Sequence, residues 1–387
     1  MSLYCSYTDK HLTIDTLGRL KACCFSEPLA HSLDQVDDIT DFWHNSKQWT
    51  TLRDNLNNGV RDSRCNECWK MEDKNLKSLR QRVNFPHEPG KLQSLELTIS
   101  NQCNLACRMC TSARSSMIAK ERRPWDIYND QSVHWLQDTN NLEKIEKMII
   151  ENDIKDLYLA GGEPQLIKEY IPVMEMCVKN KSKFCNLHLV TNGTVYNEKF
   201  FEIVKKFDSV IIEISIDATE QTYNNIRYLG DWDNFTTHTD RILKLVNTIN
   251  DTPYKKASIM WSIVQQLANI DHCNQLSAYF KSCKDKMLPD TDVVYSVLTI
   301  TDYDAWRVDA LPIEILQEAK DRIVPDGTSF ADEWKANIEN GIKYNVCNSE
   351  HISKVFEYED WYKLKYNQCI WDINPKWKET YQLRQDQ

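Results

Sequence analysis

Short apolar runs alternate with longer amphipathic stretches through the middle of the chain. The predicted strands are Gln93–Ser100, Asp156–Ala160, Asn186–Thr191, Ser209–Ser215, Ala257–Val264 and Asp292–Thr299. The clearest helices between them, Glu198–Lys206 and Thr236–Ile249, repeat apolar residues at helical spacing. Because a parallel strand pair needs a crossover, this alternation predicts an α/β fold. Six such units indicate a partial (β/α)6 TIM-like barrel of parallel strands, with sites at the carboxyl ends of the strands.

The two ends of the chain have different patterns. The extended runs His11–Thr16 and Arg19–Cys23 flank Gly18, which predicts a hairpin because Gly tolerates a positive φ. Apolar residues then recur at helical spacing over Ile39–Asn57, and Gly59 is placed to end that helix. We predict a small cysteine-rich N-terminal module over residues 1–90, the barrel over 91–300, and a helical, acidic C-terminal extension over 301–387.

Charge, hydropathy and cysteine content narrow the possible partners. A net charge of −10 disfavours non-specific binding to nucleic acid, because such binding needs clustered cations. We expect a cytoplasmic protein with no membrane partner, because there is no long apolar run and no secretory pattern at the start. Fourteen cysteines are present, and in a reducing compartment clustered cysteines more often bind metal than form disulfides.

Three cysteines stand close together directly after the first predicted barrel strand. Cys103, Cys107 and Cys110 have C-x3-C-x2-C spacing. Cubane iron–sulfur clusters are held by cysteine thiolates, usually four. Three thiolates would therefore leave one iron open to another ligand. The alternative is a zinc site that lacks its fourth ligand.

Glycine-rich and polar motifs end the next three predicted strands. They are Gly161-Gly162-Glu163-Pro164, Thr191-Asn192-Gly193 and Ser215-Ile216-Asp217. With the cysteine triplet, and in this order, they resemble the radical S-adenosylmethionine (SAM) superfamily over roughly residues 92–300.

This resemblance implies a [4Fe–4S] cluster on Cys103, Cys107 and Cys110, whose open iron chelates the amino and carboxylate groups of SAM. One electron would then cleave SAM to a 5′-deoxyadenosyl radical, with the protein supplying placement. The residues implied in SAM binding are Gly161, Gly162, Glu163, Pro164, Asn192, Ser215, Asp217 and Arg227, and Asn269 matches another recurrent family position. Met109 replaces the usual aromatic residue near the adenine, and its flexible side chain can fill the same space.

Four further cysteines, Cys5, Cys23, Cys65 and Cys68, precede the barrel. Their arrangement resembles the twitch module, the shorter relative of SPASM, which the family usually carries after its barrel. The resemblance implies a second, auxiliary [4Fe–4S] cluster. Structural zinc is the alternative, and Cys24 could exchange roles with Cys23.

The resemblance also predicts the function. A radical SAM oxidoreductase or modifying enzyme would abstract hydrogen from a substrate C–H bond, in a peptide or protein, with the auxiliary cluster aiding oxidation or substrate placement. An electron donor such as flavodoxin or ferredoxin would be its partner. One alternative is radical dehydrogenation or rearrangement of a small molecule such as a sugar or nucleotide. Another is a non-catalytic, metal-stabilised binding module.

Overall fold

The computed structural model describes residues 3–73, 77–85, 88–126, 128, 134–180, 185–300 and 306–385. Within these ranges nine strands form one sheet, in the order β3-β2-β1-β4-β5-β6-β7-β8-β9. The strands are β1 His11–Ile14, β2 Leu20–Lys21, β3 Pro28–Ala30, β4 Ser94–Leu97, β5 Asp156–Leu159, β6 Asn186–Thr191, β7 Ser209–Ser215, β8 Lys256–Gln265 and β9 Val293–Thr299.

The six predicted barrel strands are confirmed as β4 to β9, and all of their pairings are parallel. Buried and half-buried residues alternate along β6 and β7, so one face of the sheet forms the core and the other is the inner face of the open barrel. The predicted α/β fold, a partial TIM-like barrel of parallel strands, is therefore confirmed, and the sheet is open and mostly parallel. This inner face, together with the loops after the strands, carries the polar residues described below.

Helices connect the strands and form the C-terminal end of the chain. They are α1 Ser6–Lys10, α2 Ile39–Asn45, α3 Lys47–Asn57, α4 Asn66–Asp73, α5 Leu79–Arg82, α6 Ser116–Glu121, α7 Thr139–Glu151, α8 Tyr170–Asn180, α9 Glu198–Val204, α10 Glu220–Ile226, α11 Trp232–Asn250, α12 Cys273–Lys284, α13 Ile313–Asp321, α14 Ser329–Lys343, α15 Ser349–Tyr366 and α16 Pro375–Gln385. None of the helices in the described ranges is long and apolar enough to cross a bilayer.

The predicted N-terminal hairpin is present, and it joins the barrel sheet. β1 pairs antiparallel with β2, and Gly18 between them has φ +71°. β1 also pairs in parallel with β4, so that His11 lies opposite Ser94 and Ile14 opposite Leu97. The N-terminal segment thus adds a seventh parallel strand to the six predicted ones. The three domain boundaries stay predictions, and Pro86 and His87 at the first boundary lie outside the described residues.

One predicted helix is wrong in its extent. The run over residues 39–57 forms two helices, α2 and α3, because Ser46 between them is extended at φ −62° and ψ 144°. Its hydroxyl accepts a hydrogen bond from the backbone N–H of Trp49 at 3.3 Å, which caps the start of α3. Apolar spacing continues across the break, so periodicity alone did not reveal it.

Candidate active site

The cysteine triplet lies in a loop between β4 and α6. Cys107 is buried, Cys103 and Cys110 are half-buried, and all three thiols are free of disulfides. Burial raises the pKa of each thiol, that of Cys107 to about 12, and the neighbouring thiols raise the pKa of Cys103 further. The thiols therefore lie near enough to act on one another. Without metal they are protonated, so metal binding would release protons.

Two buried arginines lower the pKa of thiols in the triplet. Arg227 and Arg123 both lower the pKa of Cys107 and of Cys110, which offsets part of the effect of burial. Positive charge beside a thiol favours the thiolate, the form that binds metal. The surroundings of the triplet therefore suit an anionic group held by thiolates, such as an iron–sulfur cluster.

Arg123 holds the backbone of the triplet loop. Its Nη1 donates hydrogen bonds to the carbonyl oxygens of Cys107 at 2.9 Å and Arg108 at 3.0 Å, and its Nη2 donates to that of Ala106 at 2.8 Å. The guanidinium is almost completely buried. A planar, multiply donating group of this kind fixes the path of the chain between the cysteines.

Arg108, inside the triplet loop, forms a buried ion pair with Glu359 of α15. Its Nη1 lies 2.7 and 3.0 Å from the two carboxylate oxygens, and the side chains are only 2% and 1% exposed. The ring of Tyr362 covers the guanidinium at 4.0 Å. The C-terminal extension is therefore attached directly to the triplet loop. Neither this pair nor the role of Arg123 was predicted, because no motif or spacing in the sequence relates residue 359 to residue 108.

The two glycines after β5 pack against the backbone that leads into Cys103. Gly162 donates a hydrogen bond to the carbonyl oxygen of Ser100 at 3.1 Å. A Cβ on Gly162 would lie 2.1 Å from the carbonyl oxygen of Gln102, and one on Gly161, which has φ +137°, would lie 2.9 Å from that of Ser100. Only glycine at these two positions lets the backbone after β5 pack this closely against the backbone that leads into Cys103.

Glu163 links two of the predicted motifs. It is completely buried, and its carboxylate accepts hydrogen bonds from Asn192 N at 2.7 Å and Thr191 Oγ1 at 2.9 Å. Burial raises the pKa of Glu163 to about 7. Pro164 begins the short turn that follows. In this structure the carboxylate holds the segment after β6, and its predicted contact with the SAM amino group stays a prediction.

Asn192 connects that segment to the triplet loop. Its Nδ2 donates to Asn104 Oδ1 at 2.9 Å and lies 3.8 Å from the sulfur of Cys103. Asn104 in turn donates to Thr194 Oγ1 at 2.9 Å. Met109, in the same loop, is half-buried and packs against the core. The structure therefore brings Cys103, Asn192 and Glu163 together, although they are far apart in sequence.

Asp217 and Arg227 form a buried pair near the triplet. Arg227 Nη2 lies 2.8 Å from Asp217 Oδ2, and Asp217 Oδ1 accepts a hydrogen bond from Val264 N at 2.8 Å. Asn269 Nδ2 donates to the carbonyl oxygen of Asp217 at 2.8 Å. Ser215 is half-buried at the end of β7. Ser215, Asp217 and Arg227 are each predicted to contact SAM, and in the structure Asp217 contacts both Arg227 and Asn269.

A buried donor remains beside this pair. Arg227 Nε has no hydrogen-bond partner among the residues that the structure describes. Such a donor is costly unless a ligand or water satisfies it. An unsatisfied guanidinium N–H near Cys107 and Cys110 suits a carboxylate, which SAM carries. The residues present therefore fit the group that the sequence resemblance implies.

The four N-terminal cysteines line one cavity. Cys5, Cys23, Cys65 and Cys68 lie around it with Tyr7, Phe25, Leu56 and Arg80 among the other lining residues. Burial raises the pKa of Cys5, and it raises those of Cys23 and Cys65 to about 12, with neighbouring cysteines adding to the effect. Cys24 does not belong to the lining. Of the two adjacent cysteines, Cys23 faces the cavity.

Neither cysteine group surrounds a single point as ligands of one ion do. Across the described ranges, no three His, Cys, Asp or Glu side chains are arranged to hold one metal ion. A structural zinc site has four ligands at about 2.0–2.3 Å from one ion. The ligand assignments at both groups, and the kind of metal at the N-terminal group, therefore stay predictions.

Comparison with known proteins agrees with the order of the motifs. Residues 97–260 match the profile of the Radical SAM superfamily. Sporulation killing factor maturation protein SkfB of Bacillus subtilis is 25% identical over 197 residues, which cover 47% of this chain and 42% of that protein. Radical SAM cyclopropyl synthase TigE of Paramaledivibacter caminithermalis is 25% identical over 176 residues, 44% of this chain and 36% of that protein.

A third relative is named as an enzyme that acts on a nucleotide. The "Probable GTP 3′,8-cyclase" of Methanocaldococcus jannaschii is 25% identical over 194 residues, 49% of this chain and 57% of that protein. The chain thus spans less than two thirds of the length of each of these three relatives. The profile match covers the triplet loop, the glycine motif, the segment after β6 and the Asp217–Arg227 pair. This chain therefore contains a radical SAM domain.

Proposed function

We propose that this chain is a radical SAM enzyme that modifies a peptide or protein. A radical SAM domain implies a [4Fe–4S] cluster and SAM. In our proposal Cys103, Cys107 and Cys110 hold the cluster, and SAM lies against the motifs that follow β5, β6 and β7. The main support for the proposal is that these motifs contact the triplet loop. Asn192 lies against Cys103, and the Gly161-Gly162 segment is hydrogen-bonded to the backbone before it.

When bound, these groups supply a 5′-deoxyadenosyl radical, made by one-electron cleavage of SAM, which removes a hydrogen atom from a substrate C–H bond. Arg123 fixes the backbone of the loop between the cysteines by its hydrogen bonds to the carbonyl oxygens of Cys107 and Ala106. Arg227 offers its free Nε to a carboxylate of SAM, and Glu163 holds Asn192 in place beside Cys103. Ser215 and Met109 complete the proposed SAM contacts.

The first prediction concerns SAM cleavage. Anaerobically reconstituted protein, given SAM and a strong reductant, is expected to release 5′-deoxyadenosine. Replacing Cys103, Cys107 and Cys110 together by Ala should abolish the release, because no thiolate remains to hold the cluster. Cys347→Ala, in the C-terminal extension, is the control and should leave the release unchanged. Release by the triple variant would refute the site.

We further propose an auxiliary cluster on Cys5, Cys23, Cys65 and Cys68, which would aid oxidation or place the substrate. Its support is the shared cavity and the absence of a disulfide at any of these cysteines. The proposed electron donor is a flavodoxin or ferredoxin of the cytoplasm.

The second prediction concerns iron content. Two cubane clusters give about eight irons per chain, and one gives about four. Cys23→Ala is therefore expected to lower reconstituted iron from about eight toward four, whereas Cys24→Ala should not, because only Cys23 lines the cavity. Equal iron in both variants, or zinc bound at this site in the native protein, would contradict the auxiliary cluster.

A peptide suits the inner face of the barrel better than a nucleoside triphosphate does. Two carboxylates, Glu96 and Glu213, lie on this face, each beside one histidine. A triphosphate would need several cations to offset its own charge there. The relative named as a maturation protein is consistent with a peptide substrate. The relative named as a GTP cyclase is consistent with the alternative of a small-molecule substrate.

A further inference from the structure

A buried hydrogen-bond donor remains unused in the wall of the N-terminal cysteine cavity. Arg80 lines this cavity together with Cys5, Cys23, Cys65 and Cys68. Its Nε is buried, and within the described ranges no atom accepts a hydrogen bond from it. A buried donor on a charged group is costly when it has no acceptor. Arg80 is therefore in place to bind a group that occupies the cavity.

The rest of the Arg80 guanidinium is held by the chain around it. Its Nη2 lies 2.6 Å from Glu72 Oε2, and the two side chains are only 13% and 11% exposed. Its Nη1 donates to the carbonyl oxygen of Tyr4 at 3.4 Å. The guanidinium carbon lies 5.1 Å from the ring centroid of Trp69. Because these contacts fix the planar group, its free N–H is positioned before any ligand binds.

Glu72 leaves the Nε of Arg80 unpaired because its second oxygen is engaged elsewhere. A carboxylate often binds an arginine with two parallel hydrogen bonds. Here Glu72 Oε1 instead accepts a hydrogen bond from Ser78 Oγ at 2.5 Å. Ser78 is completely buried and immediately precedes α5, the helix that carries Arg80. The acid beside Arg80 thus neutralises part of its charge and still leaves one N–H without an acceptor.

The other walls of the cavity favour an anion over a water molecule as the missing acceptor. Thr8 Oγ1 donates to the carbonyl oxygen of Cys5 at 2.9 Å, and Ser26 Oγ donates to that of Cys23 at 3.2 Å. A buried water needs about two to four polar partners. Much of the remaining lining is apolar, with Ala22, Leu56 and Leu79 among it. A group held by the four thiolates would offer sulfur acceptors directly.

A hydrogen bond from a cation to an iron–sulfur cluster acts on its reduction potential. Hydrogen bonds to the sulfurs and the charge around the cluster are among the factors that set this potential. Reduction adds one electron to the cluster, and no bond is formed or broken. The reduced cluster carries one more negative charge, so a fixed guanidinium stabilises it more than the oxidised form.

We propose that Arg80 donates its Nε–H to a sulfur of the auxiliary cluster on Cys5, Cys23, Cys65 and Cys68, and thereby makes that cluster easier to reduce. This inference rests on the auxiliary cluster proposed above and assigns the control of its potential to one residue. A cluster that is easier to reduce is a better acceptor for the electron that oxidation of a substrate radical releases.

The test is a redox titration of the auxiliary cluster, followed by electron paramagnetic resonance. The sample is the reconstituted full chain in which Cys103, Cys107 and Cys110 are replaced by Ala, so that the signal comes from the N-terminal site alone. In this background Arg80→Gln is expected to lower the ratio of reduced to oxidised cluster roughly tenfold at a given ambient potential, because a charged hydrogen bond is lost. For a one-electron couple this is a shift of about 59 mV to a more negative midpoint.

Two further variants separate the local hydrogen bond from the net charge. Arg82→Gln removes the same charge from an exposed position of the same helix, and Arg82 does not line the cavity. It should leave the midpoint nearly unchanged, because solvent screens an exposed charge. Arg80→Lys keeps the charge without the fixed planar donor and should recover only part of the shift.

A second measurement needs no substitution of Arg80. In the same background, protein labelled with ¹⁵N-arginine is reduced and studied by pulsed electron paramagnetic resonance. A guanidinium nitrogen hydrogen-bonded to the cluster is expected to give a resolved ¹⁵N coupling. The coupling should persist in Arg82→Gln and be absent in Arg80→Gln. This readout is decisive even where Arg80→Gln assembles less cluster.

Equal midpoints for Arg80→Gln and Arg82→Gln would overturn the inference, and so would the absence of an arginine ¹⁵N coupling when Arg80 is present. In either case an iron–sulfur cluster in the sample would leave the proposed auxiliary cluster standing. Zinc, or no bound iron, would refute the auxiliary cluster and this inference with it. SAM cleavage by the chain with its intact triplet is measured separately and depends on neither.

Discussion

Replacing Glu359 by Ala is expected to lower the free energy of unfolding by about 3–5 kcal/mol, because Arg108 would remain buried with its charge unpaired. Both side chains are almost completely buried, and Glu359 also accepts a hydrogen bond from Ile370 N at 2.6 Å. Chemical denaturation of the metal-free chain measures the effect. Glu357→Ala, at an exposed position of the same helix, is the matched control and should change stability by less than about 0.5 kcal/mol.

A double variant distinguishes the effect of losing the ion pair from the effect of losing the volume that its side chains fill. Arg108→Met with Glu359→Leu should recover most of the lost stability, since apolar residues of similar size often replace a buried pair without loss. If Glu359→Ala were as stable as Glu357→Ala, the C-terminal extension would not hold the triplet loop. Reconstituted iron should fall together with stability in Glu359→Ala.

Gly162→Ala is expected to slow SAM cleavage roughly a hundredfold, the effect of a displacement of about 1 Å in a reacting site. The added Cβ would lie 2.1 Å from the carbonyl oxygen of Gln102 and 2.7 Å from that of Asn101, so the backbone before Cys103 must move. Release of 5′-deoxyadenosine under the conditions above measures the loss.

A second glycine provides the control for this substitution. A Cβ on Gly90 would meet nothing within 4 Å, although Gly90 has φ +68°. Gly90→Ala should therefore cost only the backbone strain, about 1 kcal/mol, and leave SAM cleavage unchanged. Equal rates for Gly162→Ala and the unmodified chain would contradict the role given to the close approach after β5.

The barrel strands were predictable because their burial pattern is local. β6 and β7 have the predicted bounds, since buried apolar residues recur at alternate positions along each of them. The pairing of β1 with β4 was not predictable, because it joins residues about 83 positions apart and no local pattern specifies such a partner. The break at Ser46 was missed because the apolar spacing does not change there.

The candidate site, like the fold, was predictable only in part. Sequence motifs predict that the triplet and the segments after β5, β6 and β7 lie together, since parallel strands end at one edge of the sheet. They do not predict what each side chain contacts. Glu163 binds Asn192, Asp217 binds Arg227, and Arg108 binds Glu359 across 251 positions. Partners of this kind depend on tertiary packing.

The measurement that tests the central claim most directly is electron paramagnetic resonance of the reduced protein before and after SAM is added. The sample is the Cys65→Ala, Cys68→Ala variant, so that the signal comes from the triplet alone. If three thiolates hold a cubane with one iron open, the reduced chain gives a cluster signal, and SAM shifts its g values by binding at that iron. A signal that SAM leaves unchanged, or no cluster signal in a protein that contains zinc, would contradict the account.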